Sequence, residues 1–265
     1  MIAPQRIGRF IGVDELGYVR PDVAIEHVGA PWKPVVSFVS DALMHRPGVR
    51  SVYLRGSIPR GLAIENVSDA DFIYLADATF DPEDAALEQL LQTKFPFVRE
   101  FELFRLDHAT FEKVYPPQQR PYFHMLLKTQ SLCLAGDDLT RDIEPFRIGA
   151  ELVTHVFMLS DEFSQLPEWL EEGRRNGEEQ AVRQWFSRRI VRSGFEVTMD
   201  RSNRFTRDLY LCYEQFAEFY PEHAEQILRV LRNCLNGEEN PLRFADLVAF
   251  LSGEAERLTD AAPGP

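Results

Sequence analysis

The residues best able to do chemistry lie in residues 52–75, VYLRGSIPRGLAIENVSDADFIYL. Asp69 and Asp71 stand two apart at the head of an apolar run, Phe72-Ile73-Tyr74-Leu75. That run predicts a strand, and in a strand alternate side chains share a face. Two neighbouring carboxylates repel each other until a divalent cation sits between them. Hard oxygen donors suit Mg²⁺, which binds through one or two carboxylates plus substrate phosphates. Upstream, Val52-Tyr53-Leu54 ends at Gly56-Ser57. A turn there offers backbone amides and a hydroxyl to phosphate oxygens. Together these residues describe a site for a metal-bound nucleoside triphosphate. Ser68-Asp69-Ala70-Asp71 alone is a weak signal, because Ser and Asp also bond their own backbone in turns and caps. The order of strand, Gly-Ser turn and acidic strand gives Ser68, Asp69 and Asp71 their weight.

Further acids follow in residues 97–104, FVREFELF. Glu100 and Glu102 alternate with Arg99, Phe101 and Leu103, so both face one side of a strand. Alone they would be an ordinary solvated strand face.

Gly56-Ser57, then Gly61, then Ser68-Asp69-x-Asp71 resembles the signature of the DNA polymerase β-type nucleotidyltransferase superfamily. With Arg55 before the turn and Pro59-Arg60-Gly61 after it, the pattern is similar to small bacterial members such as aminoglycoside and lincosamide adenylyltransferases. The likeness covers roughly residues 49–107. It implies a third carboxylate on a later strand, for which Glu102, between Phe101 and Leu103, is the first choice and Glu100 the second. Many members carry aspartate there, so glutamate is a departure. The resemblance implies two Mg²⁺ ions, replaceable by Mn²⁺, held by Asp69, Asp71 and Glu102. Gly56, Ser57, Arg60 and Ser68 fall to nucleotide binding. The implied reaction moves a nucleoside monophosphate, AMP above all, from a triphosphate to an acceptor hydroxyl with loss of pyrophosphate. ATP or dATP is the expected donor.

The elements that must position these residues are legible in outline. The expected fold class is α+β, a small mixed-sheet core followed by a C-terminal helical bundle. Residues 1–30 read as an irregular lead-in. Trp32, Val35, Val36, Val39 and Leu43 recur at helical spacing and predict a helix over 31–45. Strands are expected at 49–54, 71–76 and 97–106. A helix is expected between the last two, from Pro82 to Thr93, with Asp81 as its cap. Beyond about 118, helices are expected near 119–134, 145–165, 178–199, 204–219, 221–235 and 242–257. The expected divisions are 1–117 for the catalytic domain, 118–258 for the helical domain and 259–265 for a disordered tail.

One stretch of the helical region is unusual. Residues 181–207 carry Arg183, Arg188, Arg189, Arg192, Arg201, Arg204 and Arg207 against Glu196 and Asp200, a local charge of +5 in a chain of −13. Arg188 and Arg192 are a helical turn apart on one face. One reading is a solvated face paired with the acidic 171–179 stretch. The other is a phosphate clamp, since arginine's planar fork bonds phosphate in pairs. Arg207 and Lys128 are further candidates for nucleotide binding, although a lysine in an apolar helix also snorkels to solvent.

Composition sets limits. At 265 residues, with 45% hydrophobic and 27% charged residues, the chain is of ordinary globular make-up. The net charge of −13 disfavours non-specific nucleic-acid binding. Three widely spaced cysteines, Cys133, Cys212 and Cys234, form no disulfide or zinc pattern. Cys133 and Cys212 lie in apolar contexts read as helical, and are expected to be buried thiols. No signal peptide and no membrane-length apolar run is legible, so a cytoplasmic setting is expected. The acceptor, whether a small molecule, nucleic acid or protein hydroxyl, is left open. So is template-independent chain synthesis or RNA modification by the same centre. A nucleotide- or partner-binding protein that keeps the fold without turnover is the third reading.

Overall fold

A computed structural model describes residues 4–77, 79–107, 120–149 and 152–261. The chain forms two compact units. One comprises residues 12–146, and the other joins residues 1–11 to residues 147–265.

The 12–146 unit is built on a four-stranded mixed sheet in the order β3-β2-β1-β4. Its strands are β1 (Val49–Arg55), β2 (Ala70–Ala76), β3 (Phe101–Asp107) and β4 (Ser131–Gly136). β1 runs antiparallel to both β2 and β4, while β2 and β3 are parallel. A parallel pair needs a crossover, and α2 (Asp81–Lys94) supplies it. Period-two alternation gives the sheet two apolar faces. Val52, Leu54, Phe72 and Tyr74 pack with Val35, Val39 and Leu43 of α1 (Lys33–Met44) and with Leu87 and Leu91 of α2. On the other face Tyr53, Ile73, Leu75 and Leu106 pack with Ile143 and with Leu127 of α3 (Arg120–Gln130). Residues 69 and 71 fall on this second face, beyond its apolar end.

The expected helix over 119–134 stops at Gln130, and Ser131–Gly136 is a sheet strand instead. Apolar residues in SLCLAG continue the helical spacing, but β1 offers an open ladder, and Gly136 fits beside it. A Cβ at Gly136 would collide with the Arg50 carbonyl oxygen. The division expected at 117/118 therefore cuts through the sheet-bearing unit, which extends to Phe146. Cys133 lies in β4, half-buried, rather than in a helix. In α2 the cap position is Phe80 and Asp81 is the first helical residue.

The second unit carries α4 (His155–Asn176), α5 (Glu179–Glu196), the short α6 (Met199–Ser202), α7 (Leu209–Phe219), α8 (Ala224–Asn236) and α9 (Ala245–Ala261). α9 extends through residues expected to belong to the tail, while 262–265 lie outside the described residues. The N-terminal segment is tied to this unit. Ile11 bridges Phe205, the Arg9 amide donates to Asp208 Oδ2 at 2.9 Å, and Arg6 pairs with Glu214. Gly8, at φ +107, makes room for the Asp208 carboxylate, which occupies the space a Cβ would need. Among the described residues no helix is long and apolar enough to cross a membrane.

Candidate functional site

β1, β2 and β3 bring the Gly-Ser turn and the acidic residues to one end of the sheet. Arg55 is opposite Asp71 in the β1–β2 ladder, and Asp71 is opposite Glu102 in the β2–β3 ladder. Registered residues share a face, so Asp71 and Glu102 stand side by side. Gly56 follows directly, at φ +81, a region that favours glycine. A Cβ there would lie 2.7 Å from Asp71 Oδ2. The glycine thus serves both the turn and the close approach of the aspartate. Among the described residues, the Gly56 and Ser57 amides donate to no backbone carbonyl, and the Ser57 hydroxyl has no hydrogen-bond partner. They are open to a ligand's oxygens.

The electrostatics are those of crowded like charges. Burial pushes Asp71 up to about 6, Arg55 opposes the shift, and Glu102 and Asp69 add to it. A carboxyl held this far above its ordinary value, beside two others, favours a cation with oxygen ligands. Asp69 is differently engaged. Both its oxygens are taken by Arg99, with Nε to Oδ1 at 2.6 Å. Among the described residues no three His, Cys, Asp or Glu side chains are grouped to hold a metal ion. The donor chemistry of Asp71 and Glu102 fits a divalent cation, and Asp69 can join them only by leaving Arg99. Glu100, the second choice for the third acid, precedes β3, and its carbonyl accepts from the Ala70 amide.

Other expected site residues have structural partners. Arg60 is buried and donates to Asp22 Oδ2 at 2.6 Å, which pins the loop to the lead-in instead of exposing a cation to phosphate. Its partner lies 38 residues away, a distance no local motif spans. The Ser68 hydroxyl accepts from the Ile64 amide at 2.9 Å, closing a turn. Lys128 Nζ donates to the Thr140 carbonyl at 2.9 Å. Arg60, Ser68 and Lys128, expected to bind nucleotide, thus each have a partner within the protein.

The arginine run divides. Arg183 pairs with Glu179 in the acidic stretch, as one reading expected, while Arg189 pairs with Glu162 at 2.7 Å. Arg201 bonds the Tyr220 hydroxyl, and Arg204 lies over Phe10. Arg192 lies near a buried pair that sequence reasoning missed, His155 and Glu196. His155 Nδ1 is 2.6 Å from Glu196 Oε1, and Glu196 Oε2 accepts from the Val156 amide at 2.9 Å. Glu196 therefore satisfies the first turn of α4, where an anion also meets the helix dipole. Burial opposes its charge, yet His155 and these amides hold its carboxyl below the ordinary value. Burial keeps His155 neutral, lowering it to about 4. Polar residues inside α4 and α5 were the available signal. Arg188 and Arg207 have no ion pair or hydrogen-bonded side-chain partner among the described residues.

No known family model matches the chain, and no curated protein matches it. Among solved structures it is similar to spectinomycin adenyltransferase AAD(9) from Enterococcus faecialis, solved with ATP and spectinomycin. The identity is 15%, the TM-score 0.48, and the match covers 84% of this chain and 99% of that one.

Proposed function

We propose that the protein is a metal-dependent nucleotidyltransferase that moves a nucleoside monophosphate, most simply AMP, onto an acceptor hydroxyl. The observation that carries this reading is the junction of Gly56, Asp71 and Glu102. An open turn abuts the Asp71 carboxylate, 2.7 Å from where a Gly56 Cβ would lie, and Glu102 stands beside Asp71 in the next strand. Asp71 and Glu102 would hold Mg²⁺, with Asp69 as a third ligand once released from Arg99. When bound, the ion neutralises charge on the triphosphate and on the attacking and leaving oxygens. The Gly56 and Ser57 amides and the Ser57 hydroxyl would bind the β- and γ-phosphates. The acceptor oxygen attacks the α-phosphorus, its proton passes to Glu102, and pyrophosphate leaves. Positioning and charge stabilisation supply most of the acceleration in such a reaction.

The engagement of Asp69 by Arg99 favours a second reading, a nucleotide-binding protein without turnover. One experiment separates them. Purified protein is incubated with each labelled ribo- and deoxynucleoside triphosphate, Mg²⁺ or Mn²⁺, and cell extract. Glu102→Gln is the control. A single-nucleotide adduct with pyrophosphate release, absent in the variant, is the expected result. A ladder of products would mean chain synthesis. Bound nucleotide without pyrophosphate under every condition would leave the second reading standing.

A further inference from the structure

The turn between α4 and α5 borders a cavity of about 460 Å³ that the proposed transfer reaction does not use. Its walls include Trp169, Glu172, Asn176, Glu178 and Trp185. The volume is in the range of small-molecule sites, about 300–1,000 Å³. The two indoles meet edge to face with ring centres 5.5 Å apart. Trp185 is 41% exposed, unusual for so large an apolar side chain. Its ring already attracts a cation, with Arg189 lying 5.3 Å from the ring centre.

The neighbouring glutamates show a division of labour. Glu171 pairs with Arg174 and Arg175, and Glu179 pairs with Arg174 and Arg183. Glu172 and Glu178 pair with nothing among the described residues, and these are the two that line the cavity. The local arginines are thus spent on the acids outside it. What remains on the walls is two indoles, two carboxylates without an ion-pair partner among the described residues, and an amide. Indole faces attract ammonium and guanidinium groups, and the carboxylates add opposite charge. A chain of net charge −13 draws such ligands towards it.

We propose that this cavity binds a small organic dication, of the aliphatic diamine class. The carboxylates take the two cationic groups and the indoles cover the aliphatic span between them. The site stands independently of the transferase reading.

1,5-Diaminopentane titrated calorimetrically into the full chain, with tryptophan fluorescence followed in parallel, tests this. 1,5-Pentanediol serves as the uncharged control of matched length. The expected result is saturable one-site binding that perturbs the fluorescence, with no response to the diol. Glu172→Gln/Glu178→Gln should weaken binding about tenfold or more, equivalent to about 1.4 kcal/mol. Both changes are on exposed side chains and leave the fold intact. Glu171→Gln, outside the cavity, should leave the affinity unchanged. Absence of saturable binding would overturn the proposal. So would equal affinity in the double variant, or equal weakening by Glu171→Gln, which would reduce the effect to diffuse surface charge.

Discussion

Two clusters of charge in this molecule are built in opposite ways. At the end of the sheet, Asp71 is half-buried and crowded by Glu102 and Asp69, and its carboxyl is pushed up to about 6. Between α4 and α5, Glu196 is buried yet held below its ordinary value, because His155 and the Val156 amide bond it. The first cluster crowds like charges that Arg55 and Arg99 offset only in part. The second is internally complete. The contrast lies in how each acid's charge is met, by like charges at the sheet end and by bonded partners at Glu196.

Three changes would break or sharpen that contrast. The largest effect is expected from Asp71→Asn. Losing a ligand-bearing carboxylate should cut turnover by about 10³-fold, several kcal/mol of transition-state stabilisation. Relief of like-charge crowding should at the same time raise stability by about 1 kcal/mol, or roughly 2–4 °C in melting temperature. Nucleotide-transfer rates and calorimetric melting read both. A variant that loses activity and also melts lower would remove the distinction.

Glu196→Ala should do the reverse. Removing the carboxylate leaves the neutral His155 ring and the Val156 amide buried without an acceptor, at about 1–3 kcal/mol for each, seen as a fall in the denaturation midpoint. Hydrogen exchange should locate the loss at the start of α4.

The smallest effect is a divergence with pH. Asp71 has a raised folded value, so its contribution to stability is full below the ordinary carboxylate range and is lost as pH rises through about 6. His155 and Glu196 have lowered values. Their contribution is present above the ordinary values and is lost as pH falls, for His155 through about 4. Acidification from neutrality should therefore loosen exchange protection in α4 and α5 before it loosens β1 and β2. Turnover should fall below about pH 6 as Asp71 takes up a proton. Loss of protection first in the sheet would contradict the assignment.

Much of the sheet end was legible in the sequence, because its signals are local. Tyr53 and Ile73 alternate with their neighbours within single strands, and Gly56 and Asp71 are separated by one loop. What was hidden depends on partners far along the chain. Nothing near Arg60 names Asp22, and nothing near Glu196 names His155. β4 was hidden for another reason. Leu132, Cys133 and Leu134 fit either a buried strand or the end of a helix, and only the open edge of β1 decides between them.

The Arg9–Asp208 bond joins residues 199 positions apart, and Ile11 pairs with Phe205. The unit to which they belong is therefore interrupted in the chain by the whole of residues 12–146. During synthesis the first eleven residues leave the ribosome long before their partners are made. The sheet-bearing unit has all its residues in hand first. The late closure of so long a loop carries an entropic cost that grows only slowly with length. A truncated chain beginning at Arg147 would lack the strap over Phe205 and Asp208 altogether.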